Sequence, residues 1–229
     1  MRVRRLHKWN LRPEDAAAVQ SRLARHVVLK GAPRTVQTIG GADVAYDEER
    51  NLLFAGIVVL ERRSLERVER SGAVRRCRFP YVPGLLSFRE CPALLAAAAK
   101  IRCEPDVLMV DSQGVAHPRR FGLASHLGLL LDCPTIGCAK SWLIGQYDEP
   151  GSAQGGWSPL WHGGRQVGAV VRTRERVKPV FVSPGHRMTV RRAVRLVLET
   201  TRGYRLPEPV RQAHLFVGRL RREHRSARR

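Results

Sequence analysis

Residues 35–61 read TVQTIGGADVAYDEERNLLFAGIVVLE, two apolar runs on either side of a polar turn at Asp47 to Asn51. Such runs around a turn predict two antiparallel strands. The following SLERVERSGAVRRCRF (64–79) supplies a third strand near 65–76. Further on, DVLMVDSQG (106–114) is continuously apolar until it ends at a carboxylate. A strand without alternation is covered on both faces, as parallel strands between helices are.

Working outward, residues 13–28 are helix-prone and alanine-rich, with acidic residues near their start. CPALLAAAAKI (91–101) and residues 119–131 predict two more helices. In TVRRAVRLVLETTRG (189–203), Val190, Ala193, Val194, Val197 and Leu198 recur at helical spacing, with Gly203 as the expected cap. CPTIGCAKS (133–141) gives a short strand and tight turn, and QVGAVVRTR and KPVFVS give two further strands. QYDEPGSAQGGWSPLWHGG (146–164) reads as a long Gly/Pro/Trp loop, and RLRREHRSARR (219–229) as a mobile basic tail. The order predicts an α/β fold: one domain over residues 1–218, with a mixed sheet and helices on its faces.

The chain of 229 residues carries 41 Lys+Arg against 20 Asp+Glu, a formal net charge of +21. That field attracts polyanions, nucleic acid foremost. No apolar run is long enough to span a bilayer, and the basic start is not followed by a signal-peptide core, so a cytoplasmic protein is expected. The 5 cysteines form no C-x-x-C pair, which fits reduced thiols rather than a disulfide framework or a zinc site.

Three carboxylates stand out by position: Asp43 inside a strand of small residues, Glu90 near a helix start, and Asp111 at the end of VLMVD. Ligands of open α/β sheets gather beyond the carboxyl ends of parallel strands. Clustered there, carboxylates share protons or hold a cation, and a hard divalent ion completed by water and phosphate oxygens is the expected guest. Lys140, just after a strand, suits a phosphate. Tyr81 stands between Pro80 and Pro83, which stiffen the tip of RFPYVPGLLSFREC (78–91). No G-x-x-x-x-G-K-[ST] loop, G-x-S-x-G elbow or H-E-x-x-H helix is present, which leaves metal-assisted phosphodiester hydrolysis as the best-supported chemistry.

IGGADVAY, PYVPGLLSFRE, LMVDSQGVAHPRRFGLASHLG, PTIGCAKS, VSPGHRMT and EPVRQAH, spread over most of residues 35–216, closely resemble the endonuclease V family of deoxyinosine repair nucleases. The resemblance implies a ribonuclease H-like fold that binds inosine-containing DNA or RNA, and a monomer is expected. It implies that Asp43, Glu90 and Asp111 hold Mg²⁺ (or Mn²⁺), with Lys140 and His214 completing the catalytic set. Some relatives carry an aspartate where this chain has His214. Pro80, Tyr81 and Pro83 would form a wedge that fills the place of a flipped base. Gly84, Leu86, Gly114, Gly122 and Gly137 would line a hypoxanthine pocket, with His117 against the phosphates. The implied reaction cuts the second phosphodiester bond 3′ to inosine, leaving a 3′-hydroxyl and a 5′-phosphate. An inosine-specific ribonuclease, or another structure-specific nuclease of the same fold, is the alternative, and a binder without catalysis is disfavoured by the three acids.

Overall fold

The computed structural model describes residues 1–226. Its elements run α1 (Pro13–Ala24), β1 (Thr38–Asp47), β2 (Leu52–Glu61), β3 (Arg67–Arg76), α2 (Leu86–Ala98), β4 (Val107–Val110), α3 (Leu123–Leu131), β5 (Thr135–Ala139), β6 (Trp157–His162), β7 (Arg165–Val171), β8 (Val180–His186), α4 (Val190–Glu199) and α5 (Glu208–Ser226). The strands form one mixed sheet in the order β3-β2-β1-β4-β5-β8-β7-β6. β1 pairs antiparallel with β2 and parallel with β4, and β4 pairs parallel with β5.

Each face has its own core. α2 and α3 cover Ala42, Ile57, Leu108 and Val110 on one side. α4 and α5 cover Ile39, Val58, Met109 and Ile136 on the other. Alternate residues of β1 and β4 thus serve opposite cores, as the period of two requires. Each large aliphatic side chain buried this way contributes ~1.5–3 kcal/mol. All five cysteines are free thiols. No described helix is long and apolar enough to cross a membrane.

Four expectations change. Part of the supposed 146–164 loop is β6, where Pro159 is tolerated because β6 is the sheet's edge strand. α2 begins at Leu86, so Pro92 lies inside it and Glu90 sits one turn in rather than at its opening. α4 ends with Thr200 as its cap, three residues before Gly203. The tail is not free: α5 runs unbroken to Ser226, so a domain boundary after residue 218 falls inside a helix. Val210, Ala213 and Val217 bury its apolar side, and Arg225 pairs with Asp47 at 2.9 Å. Residues 227–229 lie outside the described residues.

Candidate active site

Asp43 and Asp111 are brought together by backbone pairing alone. Ala42 faces Val110 across the β1–β4 ladder, and the Asp111 N–H donates to the Ala42 carbonyl at 3.0 Å. The next residue on each strand is therefore an aspartate. His214 arrives from α5, which lies so close on β1 that a Cβ at Gly41 would fall 1.8 Å from the Pro209 carbonyl oxygen. Its Nδ1 is 2.8 Å from Asp43 Oδ2. Ligand atoms of Asp43, Asp111 and His214 all lie within 4.8 Å of one another. Lys140 forms an ion pair with Asp111, and the Arg205 guanidinium bonds the Lys140 carbonyl, fixing the lysine's backbone.

Glu90 stands outside that tight group but feels it. Burial, then the Asp43 and Asp111 charges against the opposing pull of Arg89, push its carboxyl up to about 8. Asp43, its side chain 11% exposed, is also raised, first by burial and then by Asp111, while the His214 hydrogen bond opposes the shift. At neutral pH Glu90 therefore keeps its proton unless a cation relieves the crowding. Two carboxylates and an imidazole nitrogen on paired strands and a packed helix, with a third acid at hand, suit a hard divalent ion. Of the expected ligands, Asp43 and Asp111 meet in one group, and His214 rather than Glu90 completes it.

Tyr81 is 69% exposed, flanked by exposed Pro80 and Pro83. Arg89 lies over the Tyr46 ring at 4.2 Å and the Tyr81 ring at 5.9 Å, tying the tip to Glu90's helix. Behind the tip, Gly84 turns the chain at φ +79, and its carbonyl accepts from Gln20 and from Arg119, each at 3.0 Å. The same Gln20 amide donates to the Phe121 carbonyl at 2.6 Å, and its oxygen accepts from Arg119 Nε. Sequence reading passed over Gln20 and Arg119. The available signal was a glutamine on the buried stripe of α1, between Ala16 and Leu23.

His117 is buried next to Gly84, and burial followed by Arg119 lowers it to about 4, so its ring is neutral at pH 7. Leu86 is partly buried at the first turn of α2. Gly114, Gly122 and Gly137 close on one another. A Cβ at Gly137 would meet the Gly114 nitrogen at 2.3 Å, and one at Gly122 the Gln113 carbonyl oxygen at 2.3 Å. Gly114 N–H donates to Ser183 Oγ and the Gly114 carbonyl accepts from Gly122. These glycines make the loop after β4 fit the sheet, and the groups named here already have protein partners.

Acids, an imidazole and a lysine gathered where the middle of β1 meets the carboxyl end of β4 are the groups that cation-assisted phosphodiester hydrolysis uses. A family model described as Endonuclease V matches residues 21–215. The Endonuclease V of Gloeobacter violaceus is 50% identical over 219 residues, 94% of this chain and 89% of that protein. The crystal structure of the Streptomyces avermitilis Endonuclease V superposes with a TM-score of 0.90 at 45% identity, covering 98% of this chain and 99% of that one. Ciona intestinalis Endonuclease V, solved with a 24mer DNA containing an inosine followed by a ribo-adenosine, gives 0.80 at 25% identity over 92% and 98% of the two chains. The chain belongs to the endonuclease V family and is an endonuclease.

Proposed function

We propose that this endonuclease recognises deaminated adenine, deoxyinosine in DNA, and cuts the second phosphodiester bond on its 3′ side. The products are a 3′-hydroxyl and a 5′-phosphate. The observation that carries the reading is the Asp43–Asp111–His214 group beside Lys140. Support for the substrate comes from the Ciona relative and its inosine-containing DNA.

Asp43, Asp111 and Glu90 would hold Mg²⁺ or Mn²⁺, with His214 orienting or ligating beside Asp43. A bound divalent ion supplies Lewis-acid polarisation and a water of lowered pKa. Lys140 holds Asp111 in place and offers its positive charge to the phosphate. Tyr81 fills the stack vacated by the extruded base. Extrusion costs a few kcal/mol, less at a mispair, and an aromatic stacked on the remaining base returns ~1–3 kcal/mol. The exposed ring on a proline-stiffened tip loses little conformational freedom in doing so. Gly84, Leu86 and neutral His117 border the tip where the extruded base would settle. The enzyme works as a cytoplasmic monomer on this reading.

The test is cleavage of matched strands carrying deoxyinosine in DNA or inosine in RNA, with Mg²⁺ and with chelator. Mg²⁺-dependent incision of the deoxyinosine strand at the second 3′ bond is expected. Incision unaffected by chelator, or confined to RNA, rejects the reading.

A further inference from the structure

We propose that Trp142 and Trp161 form a stacking platform for unpaired bases of the bound strand, extending the site from Lys140 to the β6 edge. The proposal rests on the nucleic-acid reading above. Of the chain's 4 tryptophans, Trp142, Trp157 and Trp161 are 55%, 46% and 47% exposed. Trp142 and Trp161 line one cleft, and exposed apolar surface grouped in this way marks interaction sites.

The Trp142 ring and the Trp161 backbone are held. Trp142, two residues past Lys140, donates from Nε1 to the Gly145 carbonyl at 3.0 Å. Trp161 follows a register shift between Leu160 and Trp161, the kind of bulge that re-aims a side chain. Its backbone exchanges hydrogen bonds with Gln146 at 2.8 and 2.9 Å, clamping the segment after Lys140 onto β6. Both residues line an open cleft of about 610 Å³ together with Gly163 and Gly164, which leave room beside them, and Gly145, which packs tightly against the Trp161 carbonyl.

Charge selects the occupant. Arg120 reaches over to the His162 carbonyl at 3.1 Å, and Arg165 directly follows the cleft-lining Gly164 in the chain. Stacking faces bordered by cations are what single-stranded nucleic acid recognises, since every base offers a π-face and every nucleotide a phosphate. Bases inside a duplex are already stacked and cannot use the rings. A second copy of this chain fits poorly: Pro159 removes a donor from the β6 edge, and a formal charge of +21 repels its like.

The experiment titrates tryptophan fluorescence of the full chain, under chelator, with lesion-free oligothymidylate and with a lesion-free duplex. Trp142→Ala/Trp161→Ala should weaken oligothymidylate binding by roughly tenfold or more and abolish most quenching. Duplex affinity and the salt slope should stay nearly constant, because the phosphate contacts are intact. Trp142→Phe/Trp161→Phe should retain most of the affinity. Equal weakening on duplex and single strand overturns the platform, as does unchanged single-strand binding. Concentration-dependent self-association that the alanine pair abolishes also overturns it, in favour of a second copy. Inosine cleavage is assayed in parallel: quenching without cleavage rejects only the function reading, and cleavage without quenching rejects only the platform.

Discussion

Asp43 and Asp111 ride on strands bonded to neighbours on both sides, whereas Tyr81 stands 69% exposed on a loop fastened behind Gly84. The first region is positioned by backbone and strained by charge. The second is unstrained and positioned by two side chains, Gln20 and Arg119. A site built by strand register tolerates loss of a side chain without moving, so its mutants report chemistry. A tip held by side chains moves when they go, so its mutants report geometry.

The sharpest separation comes from Asp43→Ala or Asp111→Ala. Cleavage should fall by ~10²–10³ or more while lesion binding persists, read by single-turnover cleavage beside gel-shift titration. Full activity in Mg²⁺ would break the assignment of this region as the reacting centre. Glu90→Gln should split activity from stability. Its folded-state carboxyl lies near 8, above the ordinary value of 4.5. Its contribution is therefore complete below pH 4.5 and lost as pH rises through 8. In chelator at pH 9 the amide should stabilise the fold by about 5 kcal/mol over wild type, and at pH 4 by almost nothing. Urea denaturation at the two pH values measures this, and a pH-independent difference would mean that burial and the aspartates together do not raise the Glu90 carboxyl.

At the tip, Tyr81→Ala should cost ~1–3 kcal/mol of binding to an inosine duplex and little on a matched one. An equal loss on both would make the ring a general backbone contact. Gln20→Ala leaves the Gly84 and Phe121 carbonyls short of a donor and should destabilise the fold by ~1–3 kcal/mol. If the tip depends on that network, lesion selectivity falls too, though less than for Tyr81→Ala. The smallest effect belongs to Arg219→Ala/Arg222→Ala on exposed turns of α5. If these side chains contact phosphates, each change flattens log affinity against log salt by ~0.9 and leaves the ratio of lesion to matched binding intact.

The same contrast governs what the sequence disclosed. The β1–β2 hairpin and the β4 strand announce themselves by apolar runs, so Asp43, a lone carboxylate among small residues, and Asp111, at the end of VLMV, stand out. Tyr81 is legible because prolines flank it. β6 is hidden because Gly, Pro and Trp imitate a loop, and only an edge position makes Pro159 acceptable. α5 is hidden because RLRREHR is charged enough to pass for a solvated tail, while its order comes from burying Val210, Ala213 and Val217 on a distant surface. His214 could be named from its motif, but its place against Asp43 depends on that unseen packing. Gln20 acts through residues about a hundred positions away, which no local pattern reveals.

The close seating of α5 on Gly41 has a consequence for the order of synthesis. Asp43, Glu90 and Asp111 are made early, yet the imidazole that joins Asp43 and Asp111 follows Asp111 by about a hundred residues. At ~5–20 residues per second, the acids wait of the order of 5–20 s for α5. Over that interval a nascent chain has a charged cleft without His214, on a sheet with one core still uncovered. The last described helix thus brings His214 to Asp43 only after every strand of the sheet has been made.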